Sequence, residues 1–194
     1  MMDENLLKLP RNITLIGMPA SGKSSVGVVL AKRLGMKFMD VDIVIQEKYN
    51  KLLKELLEEY GDEGFREIEE EVNAELEVSG YVIAPGGSVI YGEKAMKNLK
   101  NISTVVYLEL PYGALKSRLG DLRARGVSFA PGQTLRDLYN ERVPYYEKYA
   151  DITTEKVKKA VQNAGKTVRD EIKATAPSDT GKYGKSWTVK TVRE

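Results

Sequence analysis

An apolar run, Ile13-Thr14-Leu15-Ile16, leads directly into GMPASGKS, and no other feature of this 194-residue chain narrows its fold as far. Gly17, four residues, then Gly22, Lys23 and Ser24 have the spacing of a P-loop. Glycines there let backbone N–H groups turn inward around phosphate oxygens, and the helix that follows adds the positive end of its dipole. The cradle takes in Gly17, Ala20, Ser21, Gly22, Lys23, Ser24 and Ser25. Lys23 is expected to bridge the β and γ phosphates and the Ser24 hydroxyl to ligate Mg²⁺. An ordinary glycine-rich turn is the bland alternative, and the strand, spacing and helix together speak against it. ATP is expected over GTP because no Asn-Lys-x-Asp tetrapeptide occurs.

Along the rest of the chain, short apolar runs alternate with longer amphipathic stretches, the pattern of parallel strands joined by crossover helices. An α/β fold follows. Strands are predicted at Ile13–Ile16, Lys37–Asp40, Tyr81–Ala84, Thr104–Leu108 and Ala150–Thr153, enough for a five-stranded parallel sheet. KLLKELLEEY and DEGFREIEEEVNAELEV read as two helices separated by Gly61, so that about 42–79 forms a helical insertion able to wall off a substrate pocket. From about 119 to 133, GDLRARGVSFAPGQ lacks a sustained period and is expected to be a mobile lid. Arg118, Arg123 and Arg125 fall on or beside it, placed to close over ATP. The tyrosines at 139, 145, 146 and 149 have helical spacing and are read as a partly buried helix with exposed polar tips, without chemistry.

Composition removes several function classes. There is no cysteine and no histidine, so acid–base work falls to Asp, Glu, Lys or Tyr, and neither a thiolate site nor the usual zinc ligand exists. Thirty basic residues against 28 acidic ones, with no long run of one sign, argue against a nucleic-acid partner. No apolar run nears the roughly 18 residues of a membrane span. No membrane partner is expected, and the chain is expected to be cytoplasmic.

FMDVD places Asp40 and Asp42 two apart, on one side of an extended chain, beyond the carboxyl end of the second strand where α/β sheets bind ligands. Asp40 is then a candidate to hold Mg²⁺ through water, and Asp42 to orient or deprotonate an acceptor hydroxyl. The competing reading is a helix cap supplied by Asp42 before IVIQEKY. Arg66 and Arg142 each offer a planar fork that fits a carboxylate, and two forks make a clamp. Against this stand a surface ion pair of Arg66 with Glu69 at the next helical turn, and a solvated helix face for Arg142.

GMPASGKSSVG, FMDVD, GDEGFREIEEE, APGGSVI, TVVYLEL and ERVPYYEKYADI, in this order, resemble the shikimate kinases over about residues 13–152. The resemblance implies a three-layer α/β/α P-loop kinase fold and transfer of the γ-phosphoryl group of ATP, with Mg²⁺, to the 3-hydroxyl of shikimate. It implies that Asp40 supports the metal and that Asp42 contacts the acceptor hydroxyl. Arg66 and Arg142 would hold the acceptor carboxylate, Gly86 and Gly87 would bring backbone N–H groups to it, and Arg125 would reach the transferring group from the lid. Arg118 is expected on the nucleotide. A small-molecule substrate, ATP and a monomer are the expected partners and state.

The chain departs from that pattern in three places. Ser88 stands where the family carries a third glycine, and Arg125-Gly126 where it commonly has Arg-Pro. These keep homoserine or another small hydroxy acid open as the acceptor. After the fifth strand, TTEKVKKAVQNAGKTVRDEIKA moves into helical pattern where the family has a short loop that packs on adenine. KTVRDEIKATAPSDTGKYGKSWTV resembles part of the phage head-tail joining and tail-completion proteins, which leaves an inactive nucleotide-binding or phage-derived interaction module as a third reading. A kinase core over 1–174 and a tail outside it over 175–194 are expected.

Overall fold

The computed structural model describes residues 11–118 and 132–155. The chain divides into two compact units, Met1–Thr153 and Thr154–Glu194, and the elements below belong to the first. The expected lid lies almost wholly outside the described residues, with Arg123 and Arg125, and so do the expected core boundary at 174 and the C-terminal tail.

β1 (Asn12–Ile16) is buried at every position, as suits a strand covered on both faces. It pairs in parallel with β3 (Tyr81–Ala84) on one side and β4 (Thr104–Tyr107) on the other. β2 (Lys37–Asp40) adds to β3, and β5 (Ile152–Thr153) to β4, so the sheet runs β2-β3-β1-β4-β5 and is parallel throughout. The five predicted strands are all present. β1 begins one residue earlier than predicted, because Asn12 is buried by its hydrogen bonds rather than by apolarity.

Alternation along the strands divides the core. Ile13, Leu15 and Val82 form one cluster with Ala31 of α1 (Lys23–Leu34). Ile16, Ile83, Val105 and Tyr107 face a larger cluster filled from the helical side. That side holds α2 (Val41–Tyr49), α3 (Leu53–Ala74), α4 (Glu93–Ile102) and α6 (Leu135–Tyr149), while α5 (Tyr112–Arg118) contributes Leu115. Helices therefore flank the sheet on both faces. α3 runs across the predicted break, with Gly61 at φ 67° and ψ −176° kinking it between its two halves. α6 starts on a capping box, in which Thr134 Oγ1 accepts from Asp137 N at 3.2 Å and Asp137 Oδ2 accepts from Thr134 N at 2.9 Å. No helix among the described residues is long and apolar enough to cross a membrane.

Tyr146 corrects the reading of the α6 tyrosines as exposed tips. Its side chain is fully buried, stacks on Tyr107 with ring centroids 5.2 Å apart, and its hydroxyl donates to Gly87 O at 2.7 Å. Arg142, one helical turn earlier on the same face, is buried too, which overturns the solvated-face reading of that helix.

Candidate active site

The carboxyl ends of β1, β2 and β3 open onto a cavity of about 640 Å³. The loop after β1 supplies its first wall. Gly22 takes φ +96° as the N-cap of α1, a conformation that side chains resist, and so turns the chain from loop into helix. Ala20 also has positive φ, at 61°. Ala20, Gly22, Lys23, Ser24 and Ser25 line the cavity. Gly17 and Ser21 lie behind them, Gly17 as a carbonyl acceptor and Ser21 with a buried Oγ that has no hydrogen-bond partner. Lys23 Nζ donates to Gly17 O at 2.9 Å and Met18 O at 3.2 Å. Burial lowers its pKa to about 8 against the pull of Asp42 and Asp40.

The end of β2 supplies the carboxylates. Asp40 is the last strand residue and the N-cap of α2; its Oδ1 accepts from Asp42 N at 3.2 Å, while its Oδ2 accepts from Ser24 Oγ at 2.8 Å. The helix cap that the competing reading gave to Asp42 thus belongs to Asp40. Because the strand stops at Asp40, Asp42 sits in the first helical turn rather than on an extended chain, yet both carboxylates line the same cavity. Burial raises the Asp42 pKa, the neighbouring Asp40 charge adds to this, and Lys23 opposes it.

Ser24 and Asp40 present two hard oxygen donors in contact, a fit for Mg²⁺. Among the described residues no group of three acidic side chains could cage a metal.

The acceptor wall comes from α3, the turn after β3 and α6. Arg66, Gly86, Gly87 and Arg142 all line the cavity. Arg142 is only 5% exposed, and its Nε donates to Tyr91 Oη at 3.3 Å. Arg66 does not pair with Glu69 as its surface reading required. Glu69 turns inward, 3% exposed, and accepts a hydrogen bond from Ser88 Oγ. A Cβ on Gly86 would stand 2.1 Å from Glu69 Oε1, so this buried, tethered carboxylate requires bare backbone at position 86. Burial pushes the Glu69 pKa up to about 7, with the Ser88 bond, Arg142 and Arg66 opposing and Asp42 adding to it. Arg118 is exposed at the end of α5 and is not among the cavity residues.

Sequence reasoning missed Glu69 as part of this wall, and Tyr91 as the contact of Arg142 just outside it. One signal was available: Glu69 follows Arg66 by three residues on α3, and that spacing places both on one helix side.

A family model described as shikimate kinase matches residues 19–173 of the chain. The shikimate kinase of Clostridium botulinum (strain Eklund 17B / Type B) is 37% identical over 141 residues, 72% of this chain and 84% of that protein. That of Thermobifida fusca (strain YX) is 35% identical over 162 residues, 82% of this chain and 94% of the relative. Among solved structures, shikimate kinase from Acinetobacter baumannii in complex with shikimate superposes with a TM-score of 0.68 at 35% identity, covering 74% of this chain and 82% of that one.

Proposed function

The chain belongs to the shikimate kinase family, and on that premise we propose that it transfers the γ-phosphoryl group of ATP to the 3-hydroxyl of shikimate. One observation carries the reading. A single cavity is lined both by the phosphate loop, Gly22 to Ser25, and by Asp42 with the two arginines of a carboxylate clamp. A nucleotide site alone has no use for that clamp.

In this reading Lys23 exchanges its bonds to the loop carbonyls for phosphate oxygens, and the N-terminus of α1 holds the same oxygens through backbone N–H groups. Ser24 and Asp40 would hold Mg²⁺, Asp40 through water, and the bound ion would supply charge neutralisation at the phosphate oxygens. Arg66 and Arg142 fork the acceptor carboxylate and so set the ring against the phosphate loop. Asp42, whose raised pKa favours taking a proton, orients the acceptor hydroxyl and accepts its proton as oxygen bonds to phosphorus and ADP leaves.

Acceptor-dependent ADP release tests this. Shikimate should stimulate it, and Asp42→Asn or Arg142→Ala should abolish the stimulation. Homoserine is the comparison acceptor, since Glu69 puts a carboxylate in the cavity that could meet an ammonium group. Turnover of homoserine but not shikimate would replace the assignment. ATP binding without turnover of either would point to an inactive module.

A further inference from the structure

One side chain outside the cavity lining touches both arms of the clamp. Tyr91, in the 3₁₀ turn Val89–Tyr91, lies with its ring centroid 4.9 Å from the Arg66 guanidinium carbon and 5.4 Å from that of Arg142. Its hydroxyl accepts from Arg142 Nε at 3.3 Å and donates to Glu141 Oε1 at 2.6 Å. Tyr145 packs against the ring edge-on, with centroids 5.6 Å apart. We propose that Tyr91 is the positioning residue of the acceptor clamp, holding Arg66 and Arg142 together by its ring so that their forks stay open for a carboxylate. The proposal rests on the acceptor reading above.

The physical case is the choice of partner. Two guanidiniums that converge on one anion repel each other until it arrives, so something must hold them in the empty site. An acidic side chain would do so by occupying the N–H donors that the substrate needs. Among the described residues, neither Arg66 nor Arg142 has a carboxylate within 4.0 Å. An aromatic face attracts a guanidinium through its quadrupole and leaves the in-plane donors unspent. Arg142 gives Nε to the Tyr91 phenol and also hydrogen-bonds the buried Tyr146 hydroxyl, so its partners here are neutral hydroxyls, which compete with an incoming carboxylate far less than an acidic side chain would. Glu141 polarises the phenol by accepting its proton side, which makes the hydroxyl oxygen a better acceptor for Arg142. Glu141 meets the network through the phenol, not through the guanidinium.

The test compares Tyr91→Phe, which keeps the ring and loses the hydroxyl, with Tyr91→Leu, which loses both. Tyr91→Leu should raise the shikimate KM roughly tenfold, the effect of two lost ring contacts, with kcat and the ATP KM little changed. Tyr91→Phe should fall between. Shikimate methyl ester supplies the control: without an anion to clamp, its turnover should respond little to either variant. A rise in the KM of ATP and shikimate together, or an equal loss with the ester, would make Tyr91 a packing residue only and overturn the proposal. So would an unchanged shikimate KM in Tyr91→Leu. A readout free of any acceptor is hydrogen exchange at arginine Nε–H by NMR. Arg142 Nε–H should be protected in the wild type and exchange markedly faster in Tyr91→Phe; equal exchange would overturn the contact itself. If wild-type enzyme fails to turn over shikimate, the acceptor assignment falls on that result alone, while the exchange measurement still decides what Tyr91 holds.

Discussion

Ser24 Oγ and Asp40 Oδ2 are 2.8 Å apart, and the other oxygen of the same carboxylate caps α2. Asp40 therefore joins the metal-binding side of the site to the start of the helix that carries Asp42. The two duties separate by substitution, because asparagine caps helices as well as aspartate does but carries no charge for a hydrated cation. Asp40→Asn should leave the melting temperature nearly unchanged. It should raise the Mg²⁺ concentration for half-maximal activity roughly tenfold or more, the usual effect of losing an outer-sphere partner. ADP release at fixed ATP with free Mg²⁺ varied is the measurement, and an unaltered Mg²⁺ curve would remove Asp40 from the metal's surroundings.

What could be read before folding was whatever depends on neighbours in the chain. Gly17 to Ser24 specify their own conformation by spacing, and the five strands show as apolar runs. Gly61 kinks α3 where the sequence separates its two helical stretches, taking a positive φ that other residues resist. That Asp40 rather than Asp42 caps α2 was not legible, since it depends on where β2 stops, a matter of one residue. Glu69 lies in an acid-rich run that reads as solvated surface, and only the approach of Gly86 and Ser88 from β3 identifies it as buried. Tyr146 was hidden for the same reason: its partners Tyr107 and Gly87 lie far away in sequence.

Glu69 makes acceptor binding depend on pH. Its folded pKa of about 7 lies above the ordinary 4.5 because burial disfavours the charged form. Between those values the folded state holds a proton that the unfolded chain releases. Its contribution to stability is thus complete below about 4.5 and is lost as pH rises through about 7. Above that pH the carboxylate is negative near Arg66 and Arg142 and weakens their hold on an acceptor anion. The shikimate KM should therefore climb as pH passes about 7. Glu69→Gln should flatten that rise. Ser88→Ala should move it to higher pH, since the lost hydrogen bond was stabilising the ionised form. A Glu69→Gln profile that overlays the wild type would assign the pH effect to another group.

Asn12 offers a prediction about stability at the opposite end of β1 from the phosphate loop. It is fully buried, its Nδ2 donates to Val78 O at 2.7 Å and Ile102 O at 2.8 Å, and its Oδ1 accepts from Tyr81 N at 2.9 Å. One amide thus ties β1 to the approach to β3, to β3 itself and to the end of α4. Asn12→Leu matches the side chain in size but leaves backbone groups without partners in the interior, at a cost on the order of 3 kcal/mol. For a chain of this size that lowers the melting temperature by roughly 10 °C. Asn12→Asp should cost more, because a carboxylate would face two carbonyl oxygens that need a donor. Neither change reaches the cavity, so kcat and both KM values should match the wild type well below the melting transition. Thermal unfolding and low-temperature kinetics measured together decide it: unchanged melting would show that the three bonds contribute nothing, and altered kinetics with intact folding would show that β1 transmits strain to the phosphate loop.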